Sequence, residues 1–396
     1  MLEGRKLVTV MCLAQVGNLL PHVVVPAVMP QHLIPLWQLS GSEAGLMAAS
    51  YALGYMLAVP VLTTLTDRID ARLILFVGSL VSGLATIAFG IWAEDLLSAS
   101  LLWALAGIGF AGAYMPGLKA LTDRLGPGDI SRSVTLYTAC FSLGVGLSFL
   151  VSQVVAEHVG WRAAFWVTGL GPIGMIAACL RMAPVKPPRS GVALLNFAPV
   201  LRNRPAMGYI LGYGAHCFEL YAMRTWIVAF WSYVVARNGG TATLEPVTVS
   251  VLTAIVAMPA SVLGNEAAMR LGRRAVIAVL MILSAGTAIA IGTMTSAPPE
   301  ILLGLVMLYA IAIPADSGAL TSGMTASADP ANRGATMAMH STVGFGLSAA
   351  GGWAVGVALD VGGGPGTDTG WLTAFLVMAA GALLGPVALW RWRTQK

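Results

Sequence analysis
The sequence predicts an all-α integral membrane protein: twelve transmembrane helices in two pseudo-symmetric six-helix bundles, with both termini in the cytoplasm. Three observations carry this prediction. Of the 396 residues, 57% are hydrophobic and 10% are charged. A soluble domain carries about 25% charged residues, so a water-soluble enzyme is excluded. The apolar residues gather in stretches of about 20, enough to cross a bilayer. Lys and Arg lie between these stretches with one consistent side bias.

Taken in order, the stretches run near 7–29, 43–64, 72–92, 97–118, 133–156, 162–182, 206–234, 247–266, 273–294, 301–322, 335–357 and 371–391. The first follows Arg5 and Lys6 and resembles a signal peptide. Its apolar run continues past the roughly 7–15 residues of a signal core, with no small-residue cleavage site at its end, so it reads as an uncleaved first helix. Between the sixth and seventh stretches lies a segment rich in Pro and basic residues. It divides the chain into an N-terminal bundle (1–183), a cytoplasmic linker (184–204) and a C-terminal bundle (205–396). Val192 to Phe197 is expected to form a short surface helix in that linker. With the N-terminus inside, 19 of the 22 basic residues fall in cytoplasmic segments, Arg162 and Arg237 fall outside, and Arg224 lies within a span. A wrong span count would scatter this bias.

The net charge of +5 is spread over short loops and forms no clustered basic face, so nucleic acid is not expected as a partner. Cys12, Cys140, Cys179 and Cys217 form no CxxC pair and read as small apolar fillers. No metal or cofactor is expected. The excess of Arg over Lys points to a GC-rich bacterial genome, and hence to the bacterial inner membrane.

Two internal matches suggest duplication. Thr63 to Arg72 pairs with Asn265 to Arg274, aligning Arg68 with Arg270 and Arg72 with Arg274. The start of the sixth span (Gly160, Trp161, Ala164, Phe165) pairs with that of the twelfth (Gly370, Trp371, Ala374, Phe375). Carriers are often built from repeats that rock against each other.

Six plus six helices, a basic central loop and a Leu-x-Asp-Arg-x-x-x-Arg turn after the second helix resemble the major facilitator superfamily, over essentially the whole chain. That family's motif is Gly-x-Leu-x-Asp-Arg-x-Gly-Arg-Arg. Leu65, Asp67, Arg68 and Arg72 match it, while Thr63, Asp70 and Ala71 depart from it. The second copy keeps Gly272, Arg273 and Arg274 but has Met269 in place of the acid. The resemblance implies a charge latch between the halves, carried here by Asp67, Arg68, Arg72, Arg270 and Arg274. Plain positive-inside anchoring is the alternative. The family's antiporter signature in the fifth helix is not intact, since no Pro follows Gly144 and Gly146.

The resemblance also implies that helices 1, 4, 7 and 10 line a central cavity. An ionisable residue inside the membrane is a functional candidate by default. Helix 1 carries Gln15, Asn18 and His22, whose spacings of three and four share one face. Helix 4 carries Tyr114 and Lys119 around Pro116, and Lys119 could simply snorkel. Helix 7 carries Tyr213, His216, Glu219 and Arg224, and helix 10 carries Tyr309 and Asp316. His340 in helix 11 reads as structural. Gln15, Asn18, His22, Tyr114, Tyr213, His216, Arg224 and Tyr309 are the candidate substrate contacts. Glu219 and Asp316 are the candidate proton-coupling acids. The plain alternative for Glu219 is an internal pair with Arg224 or His216.

No P-loop, HExxH or GxSxG is present, so ATP-driven pumping and familiar hydrolytic chemistry are not expected. The expected function is secondary active transport of a small organic anion, coupled to protons, by a monomer in the lipid bilayer. Arg224 argues for the anion, because a guanidinium recognises carboxylate or phosphate in bidentate fashion. A multidrug exporter of cationic or neutral amphipaths is the rival reading. A membrane sensor or a membrane-embedded enzyme is more remote.

Overall fold
The structure is a computed structural model and describes residues 3–126, 130–187, 196–240, 244–329 and 332–392. All regular structure among the described residues is helical. The order is α1 (Gly4–Asn18), α2 (Val24–Val28), α3 (Ile34–Trp37), α4 (Gly41–Leu65), α5 (Ala71–Trp92), α6 (Leu96–Thr122), α7 (Ile130–His158), α8 (Trp161–Gly169) and α9 (Ile173–Arg181). There follow α10 (Ala198–Arg202), α11 (Arg204–Arg237), α12 (Pro246–Leu271), α13 (Arg273–Thr293), α14 (Pro299–Ala315), α15 (Ser317–Ser327), α16 (Arg333–Val361) and α17 (Asp368–Arg391). Residues 188–195 of the linker, with most of the surface helix expected at 192–197, lie outside the described residues. The basic residues Arg189, Arg393 and Lys396 lie outside them too.

Among the described residues, ten helical stretches are long and apolar enough to cross a membrane. Two of the twelve expected spans are not among them, for different reasons. The seventh, α11, is a continuous helix of 34 residues. His216, Glu219 and Arg224 lower its apolarity rather than its length. The first is broken. Pro21 has no N–H to donate, and the helix stops at Asn18 and resumes at Val24. A π-helical turn (Met29–Leu33) and α3 continue it to Gln38, whose φ of 51° ends it. Backbone groups freed within a membrane need partners from elsewhere in the protein. Ser148 of α7 supplies them: its hydroxyl donates to the Leu20 carbonyl (2.6 Å) and accepts from the Val23 N–H (3.3 Å). A similar break separates α14 from α15 at Asp316, where the Ser317 hydroxyl donates to the Pro314 carbonyl at 2.8 Å.

The chain forms two compact units. One comprises Met1–Val24 and Ser50–Asn196, the other Val25–Ala49 and Phe197–Lys396. In the first, α5 and α6 meet through Gly78, Gly109 and Gly112, where an added Cβ would strike the facing backbone. Small residues let membrane helices approach closely, since lipid offers no hydrophobic drive for their association. Phe89 and Phe165 stack at 4.1 Å beneath Trp103. Gly54 of α4 presses against the Ala104 carbonyl of α6, and 210 residues later Gly264 of α12 presses the same way against the Ala315 carbonyl of α14.

In the second unit, Gly41 and Gly45 of α4 face Gly356 and Gly352 of α16. Beside them the Asp360 carboxylate accepts from the N–H groups of Gly41 (2.6 Å) and Ser42 (2.7 Å), a negative charge on a helix N-terminus.

At the other end of α4, the turn into α5 is organised by Asp70. Its carboxylate accepts two bonds from Arg124 (2.9 and 2.9 Å) and one each from the N–H of Arg72 (2.9 Å) and Val185 (2.9 Å). Arg72 and Arg124 donate in turn to the carbonyls of Met182 (2.7 Å) and Ala183 (2.8 Å). Partial burial alone would push the Asp70 carboxyl up. The bonds from Arg124 and the two amides outweigh it and hold the group below its ordinary value. The clamp's stability is therefore present above the ordinary carboxylate range, near 3.9, and is lost as pH falls through the lower folded value. Asp70→Asn should lower the Tm of the detergent-purified protein by the equivalent of about 1–3 kcal/mol, since a charge-assisted bond set is removed and Arg124 stays buried. Asp67→Asn, at an exposed position, should leave the Tm unchanged. Equal shifts in the two variants would refute the clamp.

Candidate functional site
The polar residues of the first unit collect around the break in helix 1. Gln15 is fully buried, and its Oε1 accepts from the Tyr137 hydroxyl of α7 at 2.7 Å. Its Nε2 and both polar atoms of Asn18 are buried with no hydrogen-bond partner among the described residues. His22 sits inside the break, 4% exposed. Its Nδ1 lies 3.4 Å from the Tyr51 hydroxyl, and Phe110 and Phe141 flank its ring at 5.1 and 5.2 Å. Tyr114 joins the same cluster, with ring centroids 5.9 Å from Phe110 and 5.2 Å from Phe141. Lys119 is apart from it, paired with Asp123 one turn on at 3.0 Å.

The second unit holds the acids. His216 does not pair with Glu219. Its Nδ1 meets Asp316 Oδ1 at 2.6 Å, with both side chains almost wholly buried. Asp316 reaches it because the helix breaks there, at the α14–α15 junction. Tyr213 stacks between His216 (5.7 Å) and His340 (3.8 Å), and Thr321 lies 3.5 Å from His340 Nε2. Glu219, 2% exposed, accepts from the Ser284 hydroxyl of α13 at 3.0 Å, and Tyr309 of α14 faces the same carboxyl. Arg224 differs from both acids: it is half-buried, with its guanidinium 5.6 Å from the Tyr221 ring. An apolar pocket walled by Trp226, Phe230, Trp371, Phe375 and Met378 reaches Tyr309.

Of the candidate latch residues, Asp67 and Arg68 are exposed, and Arg72 belongs to the Asp70 clamp. Arg270 pairs with Glu266 on its own exposed helix face at 2.6 Å, and Arg274 lies 5.6 Å from the Tyr209 ring. Sequence reasoning missed Ser284, Tyr137, Ser148 and Tyr51. A single hydroxyl in an apolar run leaves no periodic signal. Asp70 was visible only as a departure from the motif.

The family model of the major facilitator superfamily matches residues 11–264. The chain belongs to that superfamily, a family of membrane transporters rather than enzymes. It is 31% identical over 146 residues to the membrane sensor protein UhpC of Salmonella typhimurium, covering 36% of this chain and 33% of that protein. It is 23% identical over 212 residues to a probable sphingolipid transporter, spinster homolog 2 of Arabidopsis thaliana, covering 48% and 44%. These matches span less than half of either relative.

Among solved structures, a bacterial homolog of the human lysosomal transporter Spinster, inward-facing and occupied, matches with a TM-score of 0.72 at 18% identity over 97% of this chain and 94% of that one. The POT family transporter PepTSo matches with a TM-score of 0.75 at 12% identity, over 98% of each chain. The nucleoside transporter NupG matches with a TM-score of 0.73 at 14% identity, over 98% of this chain and 99% of that one. At these identities the likeness is one of fold.

The His216–Asp316 pair makes its own prediction. Asp316→Leu leaves His216 buried without its acid and should cost about 3–5 kcal/mol, read as a fall in Tm. His216→Leu added to it should recover much of that loss. A double variant as unstable as the sum of the two singles would show that the pair is not coupled.

Proposed function
We propose that the chain is a secondary active transporter that moves a small organic anion by alternating access, coupled to protons. On this reading twelve spans place both termini in the cytoplasm of a bacterial cell, with the protein in the inner membrane as a monomer. Residues 1–183 and 205–396 are the bodies that rock, and 184–204 links them. Gln15, Asn18, His22, Tyr114, Tyr213, His216, Arg224 and Tyr309 serve the substrate, and Glu219 and Asp316 serve the proton. Asp67, Arg68, Arg72, Arg270 and Arg274 remain the proposed latch between the two bodies.

One observation carries the choice of anion over cation. Both acids are sequestered, Asp316 against His216 and Glu219 against Ser284, whereas the half-buried charge on α11 is the cation Arg224. A cargo meeting α11 therefore meets a guanidinium, suited to carboxylate or phosphate. The aromatic pocket beyond Tyr309 favours an anion with an apolar part. The sphingolipid-transporter name of the Arabidopsis relative agrees with such an amphipathic cargo.

The test is a thermal-shift screen of carboxylates, phosphates, amines and neutral drugs at pH 5.5 and 7.5. A ligand at 100 times its Kd stabilises by about 2.7 kcal/mol. An anion should raise the Tm, and Arg224→Ala should abolish the rise while Arg224→Lys keeps part of it. Stabilisation by lipophilic cations that Arg224→Ala leaves untouched would move the protein to the multidrug reading. In proteoliposomes, Glu219→Gln should remove the pH dependence of uptake of the anion so found. Unaltered pH dependence would remove Glu219 from the coupling.

The match to a membrane sensor supports a second reading, a receptor that binds solute without moving it. Binding in the screen with no flux in proteoliposomes would decide for it.

A further inference from the structure
Glu219 does not face its surroundings alone. Its partner Ser284 lies on α13, outside the helices expected to line the cavity, and is 1% exposed. The Ser284 oxygen is 3.0 Å from Glu219 Oε2 and also 3.0 Å from the Met281 carbonyl one turn back. A hydroxyl has one proton to donate, so it serves one of these acceptors at a time. Tyr309 repeats the arrangement from α14. Its phenol faces the Glu219 carboxyl, and its proton is directed to Met378 Sδ at 3.7 Å, a weak acceptor. Glu219 Oε1 is buried with no hydrogen-bond partner among the described residues.

We propose that Ser284 and Tyr309 are the positioning residues for a proton carried by Glu219, each hydroxyl choosing its acceptor by whether that proton is present. The proposal rests on the reading of Glu219 as a proton site. The two states balance as follows. With the carboxyl protonated, Glu219 Oε2–H donates to the Ser284 oxygen and Ser284 donates to the Met281 carbonyl. Oε1 is then a neutral carbonyl oxygen, which tolerates having no partner, and Tyr309 keeps Met378. When the proton leaves, both carboxylate oxygens need donors. The Ser284 hydroxyl turns from Met281 to Oε2, and the Tyr309 phenol turns from Met378 to Oε1.

In the structure both hydroxyls have both acceptors within reach, Ser284 the Glu219 carboxyl and the Met281 carbonyl, Tyr309 the Glu219 carboxyl and Met378 Sδ. Loss of one proton thus redirects hydrogen bonds on α13 and α14 at once, linking the charge on α11 to two further helices. The other titratable groups nearby are Asp316, whose charge acts on Glu219, and His216, which Asp316 holds. His340 of α16 lies beyond Tyr213, and α17 contributes Met378.

The test needs no substrate. Infrared difference spectra of the purified protein between acid and alkaline pH report the carbonyl stretch of each protonated carboxylic acid. Glu219→Gln should delete one band. If it deletes none, Glu219 does not titrate and the proton-site reading itself fails, whatever Ser284 does. With the band assigned, Ser284→Ala should shift its frequency and move its pH midpoint by about one unit, tenfold in proton affinity. This follows because a hydrogen bond to a charged group is worth about 1.5–3 kcal/mol and one unit is 1.36 kcal/mol. Ser284→Thr keeps the hydroxyl and should keep the wild-type midpoint. Tyr309→Phe should move it independently of Ser284 and serves if the alanine variant does not fold. A Glu219 band unmoved by Ser284→Ala and by Tyr309→Phe would overturn the proposal.

Discussion
A charge in hydrocarbon is tolerated only when the protein itself supplies the partner that water would have been. Insertion scales put an ionisable residue at the centre of a span at about 2.5–3.5 kcal/mol at the least. The two buried acids of this chain meet that demand in different ways. Asp316 takes an imidazole partner from a neighbouring helix, His216, at 2.6 Å. Glu219 takes hydroxyls, which can be donors or acceptors as its charge requires. The first arrangement ties the acid to one imidazole partner. The second suits a group that changes its charge. The position of each acid follows from the same demand, because Asp316 can reach His216 only where the backbone opens between α14 and α15.

The broken backbone obeys the same rule. A helix interrupted in a membrane frees carbonyl and N–H groups that lipid cannot satisfy. At Leu19–Val23 the Ser148 hydroxyl takes one of each, donating to Leu20 and accepting from Val23. At Asp316 it is Ser317 that donates to the Pro314 carbonyl. Discontinuous helices place irregular backbone and polar side chains at the midplane, as membrane carriers do at their binding sites. Two of the interrupted spans carry a buried titratable side chain at the break, His22 at one and Asp316 at the other, whereas the Trp161–Arg181 span, interrupted between α8 and α9, does not. The polar cluster of each unit thus includes a point where a helix is interrupted.

Much of the architecture was legible from the amino acids, because composition and the spacing of apolar runs report directly on the bilayer. Five of the expected spans begin within one residue of their expected starts: α5, α6, the Trp161–Arg181 stretch, α12 and α13. The first span reads as one continuous stretch because its residues are apolar on both sides of Pro21, and hydropathy does not register a missing N–H. The site was legible where it depends on single residues inside one helix, as with Tyr213, His216, Glu219 and Arg224 of α11. It was not legible where it depends on which helix faces which. Adjacency on one helix suggested His216 with Glu219, whereas the fold brings Asp316 from 100 residues further along. Asp70 shows the same limit. As a motif position it counted as a mismatch, yet its donors come from Arg124, 54 residues on, and Val185, 115 residues on.

These contacts divide the charged groups by the company they keep. Asp70 and Asp360 lie at opposite ends of α4 and bind backbone amides, Asp70 an arginine as well, and a carboxylate so engaged is a fastener. Asp360 ends a row of glycines in which Gly41 and Gly45 meet Gly356 and Gly352 almost backbone to backbone. Such a contact has little side-chain surface to interlock, so the two hydrogen bonds from Gly41 and Ser42 supply much of its direction. A contact of this kind is strong when closed and leaves few side chains to rearrange when it opens. Glu219 and Asp316 are engaged instead at Ser284 and His216. They are bound by side chains whose protons can move or turn, which separates the groups that hold helices together from those that can change state while the helices stay folded.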